Sequence, residues 1–390
     1  MRKNMKSILK DIKMLGEDLY DRIYTEYRAK GFRKYYTDSN MTENLEEVLT
    51  DNEKKQIDDY YKANYGKKIN YCYHRVYKYY SGKFDVKCFP DEFLAPRIFR
   101  YINDPSFTKV LSNKNILPYF AKMAGVKMPE TVILSMRDIY YDKDYNIISR
   151  GEAKKLLMES TNIFVKPSTD SSGGKNCKVY DSKAGYDTIT DVVAEEILTQ
   201  YKTDFSVQKM VVNCQSIKKI YPNALNTFRL VTYFHEGKVY NTNSVLRMGT
   251  GDARVDNASQ GGLYVGVYDD GHLCQFASND YGLKGIAEHP DTGVIFKDYV
   301  IDEYPKVIET AKKIHRLVPQ VGIIDWDLTI DEDGEPVLIE SNCQNGGGIQ
   351  MIQCNIGEGV FRDNTEKVLK WLKKVEKMSK SERKLRKIHL

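Results

Sequence analysis

Asp325, Asp327, Glu340 and Asn342 stand close together in GIIDWDLTIDEDGEPVLIESNCQNGGG, residues 322–348, on two segments that otherwise read as buried strands. Asp333-Gly334 between them is a hairpin signal, because a tight type I′ turn needs positive φ at both central residues. With those two residues as the loop, Asp327 lies opposite Glu340 and Asp325 opposite Asn342. Opposed residues share a face, as do residues two apart in a strand, so all four groups converge. Ile324, Trp326 and Leu328, with Ile339 and Val337, take the other face. Like charges opposed at roughly 5 Å destabilise a sheet unless something compensates. A magnesium-type cation would do so, since it accepts carboxylate and amide oxygens and shares its sphere with substrate phosphates. The alternative is a solvated acidic face on an edge hairpin.

A second cluster has the opposite sign. In FVKPSTDSSGGKN, Lys166 ends an apolar strand and is followed by a Ser/Gly loop containing Gly173 and Gly174. Glycines let backbone N–H groups close on phosphate oxygens, and the lysine adds a point charge. The order is strand, lysine, glycines, so this is not a GxxxxGK[ST] loop; a plain turn is the competing reading. Arg229 in NTFRLVTY and Arg247 in SVLRMG sit among apolar strand neighbours, where a buried charge needs an anion. Structural ion pairs explain them equally well.

Several elements must position these groups. LKDIKMLGEDLYDRIYTEYR opens a helical N-terminal region, and an α/β region starts near residue 91 with a helix over 116–124. The strand NIFVKPS, the strand CKVYD and the helix ITDVVAEEILTQY follow. Beyond them, FSVQKMVV, TFRLVTYFHEGKVYNTNSVLRMG and GGLYVGVYDDGHLCQF read as strands joined by EG and DDG turns, interrupted by the helix YPKVIETAKKIHRLV. Two α+β lobes packing as one unit are expected.

Composition narrows the chemistry. Seven scattered cysteines without CxxC spacing argue against a disulfide framework or a zinc site, and six histidines form no paired ligand motif, so a metal must be held by oxygen. A net charge of +5 on 390 residues is too mild to imply nucleic acid. No signal-like or membrane-spanning apolar run occurs, so a cytoplasmic protein is expected. The basic amphipathic stretch KVLKWLKKVEKMSKSERKLRKIHL is read as a solvated helix docking through Val368, Leu369, Trp371, Leu372 and Val375, with a weak membrane-surface contact as the alternative.

Taken in order, NK…PETV…FVKPSTDSSGGK…VQKM…NTFRLVTY…IDWDLTID…LIESN resembles the ATP-grasp superfamily, and within it the sugar-transfer-associated ATP-grasp proteins of bacterial polysaccharide gene neighbourhoods. The likeness covers about residues 90 to 370. It implies an α+β ATP-grasp fold in which two subdomains, 91–205 and 206–375, clasp ATP, preceded by a mainly helical region 1–90 and followed by a basic helix end 376–390. By position, Lys114 and Lys166 would contact ATP, and Ser171, Ser172, Gly173, Gly174 and Lys175 would cover its phosphates. Gln208, Lys209 and Met210 would lie beside adenine, Gln208 standing where many members carry Glu. Asp327, Glu340 and Asn342 would hold Mg2+, and Arg229 and Arg247 would face the γ-phosphate or an acyl phosphate. Asp325 is not a standard ligand and is expected beside the metal residues or at substrate. Asn257 and Gln260 are acceptor-pocket candidates. Where many members continue past the ExN with proline, this chain has SNCQNGGGIQ, for which a more mobile loop is expected.

The reaction implied is ATP-dependent ligation of a carboxylate to an amine through an acyl phosphate, in surface polysaccharide biosynthesis. Positioning and charge neutralisation suffice for it, with no protein nucleophile. A phosphotransferase acting on a sugar hydroxyl and a non-catalytic nucleotide- or glycan-binding accessory protein are the alternatives.

Overall fold

The computed structural model describes residues 5–38, 48–169, 174–256, 261–280, 283–344, 347–385 and 390. Within them the alternating apolar segments form two six-stranded antiparallel sheets. In the first, the order is β3 (Ile147–Ile148), β2 (Ile139–Tyr141), β1 (Thr131–Met136), β6 (Phe205–Lys209), β4 (Ile163–Pro167) and β5 (Lys178–Tyr180). Two helices cover its back, Arg150–Met158 started by a Ser149–Glu152 capping box and Asp191–Tyr201 capped by Thr190. Their Ala153, Leu157, Ile197 and Leu198 share a core with Ile163, Val165, Phe205 and Val207. Strand alternation therefore leaves Phe164 and Lys166 of β4, opposite Gln208 and Ser206 of β6, on the front.

The second sheet has the order β10 (Leu273–Ser278), β9 (Leu263–Val267), β8 (Lys238–Met248), β7 (Thr227–His235), β11 (Ile323–Ile330) and β12 (Pro336–Asn342). Every residue of β11 is buried, because it lies inside the sheet with helix Tyr304–His315 among the elements behind it. A hydrogen-bond chain ties that back face together. The Trp326 indole donates to Thr232 Oγ1 at 2.7 Å, Thr232 Oγ1 lies 2.6 Å from His315 Nδ1, and His315 Nε2 lies 2.7 Å from the Val321 carbonyl. The chain closes if the Thr232 hydroxyl donates to Nδ1 and Nε2 carries the ring proton.

Pairing of β11 with β12 places Asp325 opposite Asn342 and Asp327 opposite Glu340, as the sequence register requires. The turn differs from the expected two-residue loop. Ile330 pairs with Pro336, the Asp331 amide bonds the Glu335 carbonyl, and Glu332, Asp333 and Gly334 form the loop with Gly334 at φ 77°. That shifts the register by one, and an irregularity between Asp327 and Leu328 restores it. Leu328 consequently faces Leu338 rather than joining the Ile339 and Val337 set.

Two other expectations are corrected. The 205/206 boundary cuts through β6, which belongs to the first sheet; the chain crosses to the second at Met210–Val212, since Asn213 already bridges Asp331. Residues 91–126 pack mainly with the second sheet, Phe93, Ile98, Phe99, Leu117 and Ala121 sharing its core. The SNCQNGGGIQ stretch runs into a helix, Gly347–Ile356, on which the N-terminal region docks: Gln353 bonds both the amide and the carbonyl of Phe89. Beside it Tyr36 and Tyr77 both donate to the buried Asp91. Helix Thr365–Val375 docks through Val368, Leu369, Leu372 and Val375, with Trp371 half-buried. No helix among the described residues is long and apolar enough to cross a membrane.

Candidate functional site

A cavity of about 1220 Å³ opens between the fronts of the two sheets. The first sheet offers it Phe164, Lys166 and Gln208; the second offers Thr227, Arg229, Arg247, Asp325, Asp327, Glu340 and Asn342. Lys114 reaches it from the turn before helix Leu117–Ala124, with its amide held by the Ser168 carbonyl. Asn103 fixes the open end of the acidic hairpin by bonding the Ile323 and Cys343 carbonyls and the Ile323 amide.

Charges alternate across the second sheet. Arg229 is the direct cross-strand partner of Asp327 and donates to it through Nε and, at 2.9 Å, through its NH2 group. The NH2 group of Arg247 lies 3.1 Å from Asp327 and 3.5 Å from Asp256, and Thr227 Oγ1 bonds both Arg247 and Asp256. Burial nonetheless lifts the Asp327 carboxyl above its usual range, against the pull of Arg229 and Arg247 and with help from Glu340. Glu340 goes the other way. Against the upward push of burial, Lys114, 3.3 Å away, a hydrogen bond from Asp327, Lys166 and Arg229 hold it at about 2.

The donor set fits a hard divalent cation. Asp327 and Glu340 face each other and share a hydrogen bond, so a cation can replace the proton between them. Asn342 lines the same cavity, and its Nδ2 has no hydrogen-bond partner among the described residues. Among the described residues no group of three or more His, Cys, Asp or Glu converges. Two carboxylates and one amide oxygen suit magnesium, which completes its sphere with water and substrate phosphate.

Lys166 is 3% exposed and has no ion pair among the described residues. Burial, then Lys114, lowers its ammonium to about 8, against the opposing charges of Glu340 and Cys177. An ammonium in that position calls for an anion. Gln208 is 2% exposed, and its Oε1 lacks a hydrogen-bond partner among the described residues. Behind it, Met210, Val211 and Val212 form the cavity wall where the chain crosses between sheets.

Of the residues singled out in the sequence, Lys114, Lys166, Gly174, Gln208, Lys209, Met210, Arg229, Arg247, Asp325, Asp327, Glu340 and Asn342 line this one cavity. Lys209 also pairs with Glu130 at 3.0 Å. Lys175 is exposed and lies outside the lining. Ser171, Ser172, Gly173, Asn257 and Gln260 lie outside the described residues. Asp325 accepts from the Gly348 amide at 3.2 Å; its Oδ1 has no hydrogen-bond partner among the described residues, and burial raises its carboxyl to about 7. Sequence reading missed Asp256 and two contacts among the residues lining the cavity. Arg254 pairs with Asp181, and Lys183 bonds Asn223 at 3.2 Å. The polar alternation in ARVDN was the available signal for Arg254 and Asp256.

Two antiparallel sheets gripping a cleft, with lysines on one wall and an acid/amide set on the other, define an ATP-grasp protein. The chain belongs to the sugar-transfer associated ATP-grasp family, whose sequence profile matches residues 95–368. No curated protein matches it. Among solved structures it is similar to an L-amino acid ligase from Bacillus licheniformis, at 14% identity over 69% of this chain and 50% of that one, TM-score 0.39. It is also similar to D-alanyl-alanine synthetase A from Vibrio cholerae, at 12% identity over 66% and 63%, TM-score 0.39. A biotin carboxylase from Campylobacter jejuni matches at 14% identity over 68% and 46%, TM-score 0.40. The chain thus spans less than two thirds of each of these proteins.

Proposed function

We propose that this protein is an ATP- and magnesium-dependent carboxylate–amine ligase acting in surface polysaccharide biosynthesis. The observation that carries the reading is Lys166, a buried ammonium without an ion pair among the described residues, facing the Asp327–Glu340 pair across one cavity. Lys166 and Lys114 would bind the phosphates of ATP, with adenine against Phe164, Gln208 and the Met210–Val212 crossing. Asp327, Glu340 and Asn342 would hold Mg2+, which when bound neutralises charge on the transferring phosphoryl group. Arg229 and Arg247 orient Asp327 and keep it ionisable. A substrate carboxylate attacks the γ-phosphorus, forming an acyl phosphate and releasing ADP; an amine then displaces phosphate. The chain's part is alignment and fixed charge in a water-poor cleft. The family's association with sugar transfer supports the polysaccharide setting.

The test is to incubate the purified protein with ATP, Mg2+ and panels of acids and amines. ADP and phosphate release requiring both substrates, with a product equal in mass to acid plus amine less one water, is expected. ADP release accompanied by a phosphorylated hydroxyl compound would instead establish a phosphotransferase.

A further inference from the structure

The helix Met5–Asp38 turns an apolar face to solvent. Ile12, Leu15, Leu19, Tyr20, Ile23 and Tyr27 are each 60 to 73% exposed, and their mostly three- and four-residue spacing keeps them in one stripe roughly 20 Å long. Its opposite face serves the fold, through the buried Asp21, Thr25, Ala29 and Tyr36.

Charge is sorted around that stripe. Three of the six acids of the helix are engaged by other parts of the chain: Asp21 pairs with Arg100 and Arg383, Asp18 accepts from the Lys380 amide, and the exposed Glu26 pairs with Arg97. Lys13 and Lys30 beside the stripe are exposed and carry no ion pair among the described residues, while Glu17 is an exposed acid. The Asp18 and Asp21 contacts also moor helix Lys380–Leu385 against this helix, on the side away from the stripe. Helix Thr365–Val375 buries its own Val368, Leu369, Leu372 and Val375 in docking, so the exposed apolar surface lies on the N-terminal helix.

We propose that this face docks on an anionic lipid bilayer, with the stripe at the boundary between headgroups and acyl chains and Lys13 and Lys30 against the headgroups. Tyr20 and Tyr27 suit that depth, each having an apolar ring and a polar hydroxyl. A second copy is the poorer occupant, because two such faces would set their lysines against each other. The inference is independent of the reaction catalysed in the cavity.

Vesicle flotation of the full chain tests it, using phosphatidylcholine alone or with about a third phosphatidylglycerol. Flotation with the anionic vesicles alone is expected, as is a fall of at least about tenfold in the Leu19→Glu, Ile23→Glu double variant. Lys13→Glu, Lys30→Glu should weaken binding and flatten its dependence on salt. Both variants alter exposed residues, and an unchanged thermal melt verifies the fold. Absence of flotation, equal flotation of the apolar variant, or flotation with neutral lipid equal to that with anionic lipid overturns the proposal. So does a dimer in sedimentation that the same variant breaks without any vesicle binding.

Discussion

Arg229 on β7 stands directly opposite Asp327 on β11, and its guanidinium contacts both carboxylate oxygens at a position where Asp327 is 2% exposed. Removing one partner from a buried pair leaves an uncompensated charge, so Arg229→Met should destabilise the fold by about 3 kcal/mol in urea unfolding. Arg247, 3.1 Å from the same carboxylate, limits the loss. Arg229→Lys retains the charge without the planar fork and should fall between the two. An Arg229→Met protein as stable as the parent would mean that Asp327 takes up a proton at no cost.

Glu340 lies on edge strand β12, and its side chain is 29% exposed. Glu340→Gln preserves shape but removes the charge that faces Asp327, Lys114 and Lys166. Magnesium-dependent turnover should disappear while the melting temperature shifts by no more than a few degrees. Persisting ADP release in this variant would remove the assigned metal site.

His315 is fully buried, and burial lowers its imidazole to about 4. Between pH 6.5 and 4 the unfolded chain therefore binds a proton that the folded protein refuses. Stability is present in full above 6.5 and falls by about 3 kcal/mol as the pH drops through that window. His74 is lowered to about 4 by the same cause and adds a similar loss. Urea unfolding across the window should show this slope, with His315→Gln losing less stability than the parent as the pH falls.

Gly334 sits at φ 77°, and a Cβ added there would meet nothing closer than the Glu303 side chain at 3.9 Å. Gly334→Ala should cost about 1 kcal/mol through backbone strain. Asp333→Ala, at an exposed loop position, should change stability much less, and comparing the two unfolding midpoints separates loop strain from charge.

Much of this protein was legible in its sequence because strand alternation is local. IDWDLTID and PVLIESN specify by period which side chains share a face, and FVKPS places Lys166 opposite in direction to Val165. The Asp327–Glu340 register was also reachable, though by a turn that does not form: the three-residue loop and the irregularity beside Asp327 displace the strand by one residue and then return it. Either device depends on interactions that a short window does not contain. Lys127 alone contributes a bridge to Val337 and an ion pair to Asp331 from a segment far away in the chain.

By itself, the sequence determined the residue types at the site, the face each occupies and the helical character of both ends, since these follow from side-chain chemistry and short-range period. Only the tertiary structure decided which charges meet. Arg229 and Arg247 seat on Asp327, Arg254 closes on Asp181, β6 belongs with the first sheet, and the basic C-terminal segment comes to lie beside the apolar N-terminal helix. Each of these depends on contacts between residues distant in sequence, and burial decides which of those contacts must form, because a charge removed from water has to find its partner wherever the fold brings one.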